Sequence, residues 1–342
     1  MTRPTRPTRP FDAVAVVGAG AVGSFFGALL ARAGHRVTLI GRAAHVQAIE
    51  RDGLRLDMAG RVEAVRTAAS VDLAAVRGAD LVLFCVKSTD TEEVARQMAP
   101  HLDAGALVLS LQNGVENAPA IARHIRQTVV PAVVYVATAM PEPGCVTHHG
   151  RGDLVIGPLN AAAARDAAVA TRLQDLVDFF ASAQVPVRIS ADVMAELWSK
   201  LMVNCAYNAI SGLAQSTYAQ LAALPAIREL QHAVVAEVVA LAAAEGVNLA
   251  LAPSLEAMER IAVAMPAQLS STAQDMARGK PSEIDHLNGF VVRRGRELGI
   301  PTPANQALHA LVKLVEAGHE AAGPAQGRVP ERAARRFSHA PR

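Results

Sequence analysis

Apolar positions along this chain follow two rhythms, and the change from one to the other divides it. Up to about residue 190 they come as short, β-branched runs separated by helix-like stretches. Val14-Ala15-Val16-Val17, Leu81-Val82-Leu83-Phe84-Cys85-Val86 and Leu107-Val108-Leu109-Ser110-Leu111 lack polar alternation, as strands of a parallel sheet covered on both faces do. Residues 36–40 complete that set. Gly53-Leu54-Arg55-Leu56 alternates and reads as a short strand, 129–138 as extended, 144–157 as a hairpin-rich region closing the sheet, and 185–189 as a last strand. Helical spacing predicts helices over 24–33, 45–51, 91–98, 118–125 and 171–183, with a weak one at 72–76. Strand and helix in alternation mean an α/β chain with a Rossmann-type doubly wound sheet.

After Ser190 the pattern is helical: 193–210, 226–245, 255–265, 283–298 and 304–317, with no convincing strand. The expected organisation is therefore an extension at 1–10, a dinucleotide-binding Rossmann domain at 11–190, an all-helical substrate and catalytic domain at 191–322, and a flexible basic tail at 323–342. The Thr-Arg-Pro repeat of residues 1–10 has no apolar segment of a signal peptide, and 328–342 is rich in Arg and Pro. A cleft between the two domains is the default substrate site.

Composition narrows the partners. At 51% hydrophobic and 19% charged residues, the chain can bury a large core. A formal net charge of +2 points to neither nucleic acid nor membrane. The longest uncharged run, 201–227, carries Asn204, Asn208, Ser211, Gln215 and Ser216 and is too polar to span a bilayer. Cys85, Cys145 and Cys205 are too scattered for a metal or disulfide framework, which suits a reducing cytoplasm. Nothing in the sequence sets the oligomeric state, and a homodimer stays open.

Candidate chemistry begins at Gly18-Ala19-Gly20-Ala21-Val22-Gly23, a G-x-G-x-x-G between strand and helix. Such a turn brings backbone against a pyrophosphate at a helix N-terminus, where free N–H groups and the dipole favour an anion. Gly41-Arg42 ends the second strand where NAD-binding chains carry an acid, and a guanidinium there suits the 2′-phosphate of NADP. Lys87 and Asn113 stand at carboxyl ends of strands, where ligands of open α/β sheets sit. Position alone leaves Lys87 equally a solvated loop lysine, and Asn113-Gly114 equally a turn pair.

Residues 196–211 add more. Glu196, Lys200, Asn204, Asn208 and Ser211 share one helix face, opposite Trp198, Met202, Cys205, Ala206 and Ala209. Neutral amides and a hydroxyl beside one lysine suit the wall of a polar ligand site; a Glu196–Lys200 surface pair is the plainer alternative. Ser270-Ser271 and Glu283 flank the breaker Gly279-Lys280-Pro281. Ser282 is placed to cap the next helix with Asp285 at its third position, which puts Glu283 in a first turn where the dipole alone explains an acid.

With these residues assembled, the chain from about 11 to 318 resembles the ketopantoate reductase (2-dehydropantoate 2-reductase) family. Its glycine turn, Val86-Lys87-Ser88, Gln112-Asn113-Gly114, Trp198-Ser199-Lys200 with Asn204 and Asn208, Ser270-Ser271, Glu283-Ile284-Asp285 with Asn288-Gly289, and Gly299-Ile300-Pro301-Thr302-Pro303 carry the resemblance. The resemblance implies reduction of a 2-oxo acid with NADPH. It makes Lys200 the proton donor to the keto oxygen and Glu283 the holder of the substrate hydroxyl. Asn204, Asn208 and Ser271 would bind substrate oxygens, and Asn113 and Lys87 would line the cofactor side, Asn113 touching substrate as well. Tyr218 departs from the family at a position where an Asn-Gly pair is common. That leaves reduction of another 2-oxo acid as the close alternative, and a non-catalytic NADP-binding redox sensor as one of a different class.

Overall fold

A computed structural model describes residues 11–321, so the 1–10 extension and the 323–342 tail lie outside the described residues. The chain starts with a β-α-β unit, β1 (Ala13–Val17), α1 (Ala21–Arg32) and β2 (Arg36–Ile40). It continues through α2 (Ala43–Asp52), a hairpin of β3 (Leu54–Met58) and β4 (Arg61–Val65), and β5 (Ala68–Ser70). Next come β6 (Leu81–Phe84), α3 (Thr91–Met98), β7 (Leu107–Ser110), α4 (Asn117–His124), β8 (Thr128–Ala139), β9 (Cys145–Ile156), α5 (Ala167–Ala181) and β10 (Val187–Ile189). From there the described chain is helical: α6 (Val193–Ala214), α7 (Tyr218–Ala222), α8 (Pro225–Ala244), α9 (Leu251–Ala264), α10 (Ser271–Ala277), α11 (Asn288–Leu298) and α12 (Pro303–Ala321).

The strands form one sheet in the order β4-β3-β9-β8-β7-β6-β1-β2-β5, with β10 against β9. From β8 to β5 neighbours run parallel, and β9 turns back antiparallel along β8. Side chains alternate between two cores, as a doubly wound sheet requires. Val14, Val16, Leu81, Leu83, Leu107 and Leu109 pack with α1 and α5 on one face. Ala15, Val17, Val82, Phe84 and Val108 pack with α3 and α4 on the other. The core of the helical region gathers on α6, α8, α11 and α12, around Tyr207, Cys205, Val235, Val291 and Val312.

Four expectations need correction. Residues 145–156 form one long strand rather than a hairpin-rich region; its hairpin partner is β8. The first helix starts at Ala21, not residue 24, with Gly20 as its cap, so Gly23 lies inside the helix. Residues 283–298 are not one helix: a 3₁₀ turn, Ile284–His286, precedes α11, broken by Leu287 at φ −110 and ψ −104. Glu283 therefore flanks a turn instead of sitting in a long helix's first turn. Asp285 does not close a capping box; it accepts from His309 at 2.7 Å and Lys313 at 2.9 Å on α12, tertiary partners that local pattern cannot show. Beyond these four, β4 and β5 form where no strand was expected, while α7 and α10 fall within the stretch expected to be helical. Among the described residues no helix is long and apolar enough to cross a membrane.

Candidate functional site

The glycine turn is built by close approach. Gly18 and Ala19 both donate to the Ile40 carbonyl, at 3.0 and 2.9 Å, tying the turn to the end of β2. Gly18 has φ +94, and a Cβ there would lie 2.5 Å from the Val86 nitrogen. A Cβ on Gly23 would lie 2.5 Å from the Gly18 carbonyl oxygen. Gly20 is different: apart from its chain neighbours, no protein atom comes within 4 Å of its Cβ position. The protein's own packing requires two of the glycines, and the third keeps open a space in front of α1. That helix has no side-chain cap and no acid in its first turn, so the amides of Ala21, Val22 and Gly23 are offered outward. This is the arrangement a pyrophosphate fits.

Sequence reading missed a strut beneath this turn. The Gly144 amide donates to His45 Nδ1 at 2.8 Å, which leaves the proton on Nε2. Nε2 then donates to Ser24 Oγ at 3.1 Å, and Ser24 donates to the Ala19 carbonyl at 3.2 Å. Burial holds the His45 pKa below its usual value, so the ring stays neutral at pH 7. Arg42 follows β2, exposed, and its side chain makes no hydrogen bond or ion pair among the described residues.

Val86, pressed against Gly18, leads directly into Lys87 and Ser88, which meet the helical region. Lys87 donates to the Pro281 carbonyl at 3.0 Å and lies 3.9 Å from Asp275. Glu283 Oε1 accepts from both the amide and the hydroxyl of Ser88, each at 3.2 Å. Asn117, also missed, donates to Ser88 Oγ at 3.1 Å and to the Asn113 carbonyl at 2.6 Å, joining the two loops.

Lys200 comes to the same seam from α6. Its ammonium donates to Asn113 Oδ1 at 3.0 Å and to the carbonyl of Val134 on β8. Glu196 does not pair with Lys200: its carboxylate receives the Arg188 guanidinium, with Nη1 at 2.8 Å. Further along the stripe Asn208 donates to Ser271 Oγ at 3.4 Å, while Asn204 makes no side-chain hydrogen bond among the described residues. Ser270 caps α10 and donates to the Asn208 carbonyl at 3.2 Å. Tyr218 is buried in the helical core, 4.5 Å from the Tyr207 ring, and burial raises its pKa to about 12. Lys87, Asn113, Lys200 and Glu283 are thus brought together, Asn208 and Ser271 meet one another, and Arg42 touches none of them.

Desolvation pulls the Lys200 pKa from 10.5 down to about 8; Glu283 opposes that fall and Arg151 adds to it. Removing the negative charge should therefore lower it further. Glu283→Gln is expected to move the midpoint of Lys200 acylation, followed by mass spectrometry against pH, down by a fraction of a unit. An unmoved midpoint would mean that the two charges are not coupled. A cavity of about 250 Å³ lies between α1 and β9, lined by Phe25, Leu29, Arg32, His148 and Arg151.

Comparison with known proteins gives one family over both halves. The profile described as ketopantoate reductase PanE/ApbA matches residues 14–161, and that of its C-terminal part matches residues 192–316. A 2-dehydropantoate 2-reductase of Halobacterium salinarum is 34% identical over 306 residues, covering 89% of this chain and 98% of that protein. A PanE/ApbA family ketopantoate reductase from Ralstonia eutropha superposes with a TM-score of 0.82 at 53% identity, over 90% of this chain and 99% of that one. D-mandelate dehydrogenase with NADH and anilino(oxo)acetate has the same fold, with a TM-score of 0.83 at 24% identity, over 90% and 99%.

Proposed function

The chain belongs to the ketopantoate reductase family, and from that premise we propose that it reduces 2-dehydropantoate (ketopantoate) to (R)-pantoate with NADPH, in the cytoplasm, as a step of pantothenate biosynthesis. One observation carries the reading. Lys200 has three N–H groups; two are spent on Asn113 Oδ1 and the Val134 carbonyl. The third is left for a substrate, on an ammonium whose pKa of about 8 lies near working pH.

The groups present suit such a reaction. Bound NADPH supplies a hydride from nicotinamide C4. Ala21, Val22 and Gly23 offer their amides to its pyrophosphate, Gly20 leaves room for it, and Arg42 takes its 2′-phosphate. Lys87 and Asn113 line the nicotinamide side. As the keto oxygen gains charge, the Lys200 ammonium stabilises it and then gives it a proton, which solvent restores. Glu283 accepts from the substrate hydroxyl in place of Ser88, and Asn204, Asn208 and Ser271 bind its other oxygens. Because a 2-oxo acid carries a carboxylate, a seam with Lys87 and Lys200 is also favourable by charge.

The fold alone does not choose the oxo acid, since D-mandelate dehydrogenase shares it; another 2-oxo acid is therefore the second reading. NADPH oxidation by purified protein with ketopantoate, beside a panel of other 2-oxo acids, tests the assignment. Ketopantoate turned over well above the panel is the expected result. Turnover with another acid alone would move the enzyme to another pathway, and none at all, despite tight NADPH binding, would favour a redox sensor. A second expectation concerns the cofactor: Arg42→Asp should lower kcat/KM for NADPH against NADH by about 10- to 100-fold. An unchanged preference would reject Arg42 as the determinant.

A further inference from the structure

The β8–β9 pairing loses its register just past Val134, whose carbonyl accepts from Lys200. Its register slips between Tyr135 and Val136 and again between Ala137 and Thr138. Opposite these slips sits Arg151, a non-glycine residue at φ +57, between Gly150 at φ +150 and Gly152 at φ +143. Left-handed backbone costs an arginine energy, and bulges re-aim side chains beside active sites. What the distortion achieves is visible. The Arg151 guanidinium lies 4.1 Å over the Tyr135 ring, and the Lys200 ammonium lies 5.7 Å from the same ring. Asp153 locks the guanidinium in a fork, Nε to Oδ1 at 3.0 Å and Nη2 to Oδ2 at 2.7 Å. The Arg151 carbonyl is held by His148, whose ring stacks on Phe25 at 4.6 Å.

We propose that Arg151 is a positioning residue for the proton donor: held over Tyr135 by Asp153, it keeps a second cation beside the Lys200 ammonium and so makes that ammonium readier to give up its proton. The inference rests on the reading of Lys200 as the acid. Like charges held close disfavour the charged form, and Arg151 acts on Lys200 in that direction. The other groups facing Lys200 do not supply this. Glu283 stabilises the ammonium, Asn113 and the Val134 carbonyl are neutral acceptors, and Glu196 on the same helix is committed to Arg188 of β10. Tyr135 stays a neutral phenol, since burial raises its pKa. The ring attracts both cations to its face.

The test compares Arg151→Gln and Arg151→Lys with the wild type. Arg151→Gly is added because glycine accepts φ +57 without strain, so this variant removes the guanidinium without straining the folded backbone. Two midpoints are read: the alkaline limb of kcat, and the pH dependence of Lys200 acylation by acetic anhydride, followed by mass spectrometry with NADPH absent. Loss of the cation should move both upward by a fraction of a pH unit in the Gln and Gly variants, and the Lys variant should stay near wild type. A purely structural role would lower yield or melting temperature and leave both midpoints in place, which would overturn the proposal. The acylation midpoint decides this even if the wild type turns over none of the oxo acids, an outcome that would sink the reductase reading alone.

Discussion

Lys200→Ala is expected to lower kcat for 2-oxo acid reduction by about 10²- to 10⁴-fold, the usual worth of a positioned general acid, while the NADPH dissociation constant changes by less than about threefold. The asymmetry follows from where the ammonium sits. Its partners are Asn113 Oδ1 and the Val134 carbonyl, and the glycine turn that faces a pyrophosphate is tied instead to Ile40, Ser24 and His45. Arginine should not rescue the loss, because a guanidinium holds its proton far too tightly to donate it near pH 8 and is broader than the ammonium. In the wild type, activity should fall as pH rises through about 8, where the donor loses its proton. Stability runs the other way. The folded pKa lies below the unfolded one, so between about 8 and 10.5 the unfolded chain binds more protons and stability rises with pH. The charged Lys200 thus costs stability at neutral pH, and Lys200→Ala should melt at or above the wild-type temperature in calorimetry. A variant with turnover within tenfold of wild type would remove Lys200 as the donor. One that melted well below wild type would show that its hydrogen bonds outweigh the burial of its charge.

How much of this was legible depends on whether the determinant is local. Residues 36–40 and 91–98 were read to the residue, since a buried β-branched strand and an amphipathic helix are set by neighbours two to four positions away. Arg61–Val65 was not: Val62 is 62% exposed, and an edge strand with little apolar face gives no period. β5, Ala-Ala-Ser, is too short to show one. Thr217 and Gln220 do form a capping box at α7, a local signal that was present and overlooked. In the site, the stripe on α6 was readable because a helix brings residues four apart together. The same rule offered Glu196 as Lys200's partner, and there it failed: Arg188 holds Glu196 from a neighbouring strand. The true partners of Lys200 are Asn113, 87 positions away, and a main-chain oxygen, which leaves no trace in residue identity. Arg151 was invisible for a related reason, since only the slipped register of β8 and β9 brings it to the Tyr135 ring.

The glycine turn yields the second large effect, as a contrast. Gly18→Ala should destabilise the protein by about 3 kcal/mol or more and lower its melting temperature by several degrees with or without cofactor. Its Cβ would sit 2.5 Å from the Val86 nitrogen and 2.7 Å from the Cys85 carbonyl carbon, at φ +94. Backbone on both sides cannot step aside as a flexible side chain could, and β6 would have to shift with it. Gly20→Ala should do the reverse. Gly20 is in an extended conformation, φ −79 and ψ −165, that alanine adopts freely, and apart from its chain neighbours no protein atom lies within 4 Å of the new methyl group. Its melting temperature without cofactor should fall by no more than about 2 °C, since alanine is the poorer N-cap by only about 1 kcal/mol and the methyl group meets open space. NADPH affinity, followed by fluorescence titration, should nevertheless fall by about tenfold or more, because the methyl group occupies the space through which a pyrophosphate approaches the α1 amides. If Gly20→Ala bound NADPH like wild type, the dinucleotide would not cross that face, whatever the spacing of the three glycines. If Gly18→Ala were as stable as wild type, the Val86 backbone would have to yield by half an ångström or more, and the turn would owe its first glycine to the ligand after all. One motif, read at Gly18 and Gly20, thus separates what the fold needs from what the cofactor needs.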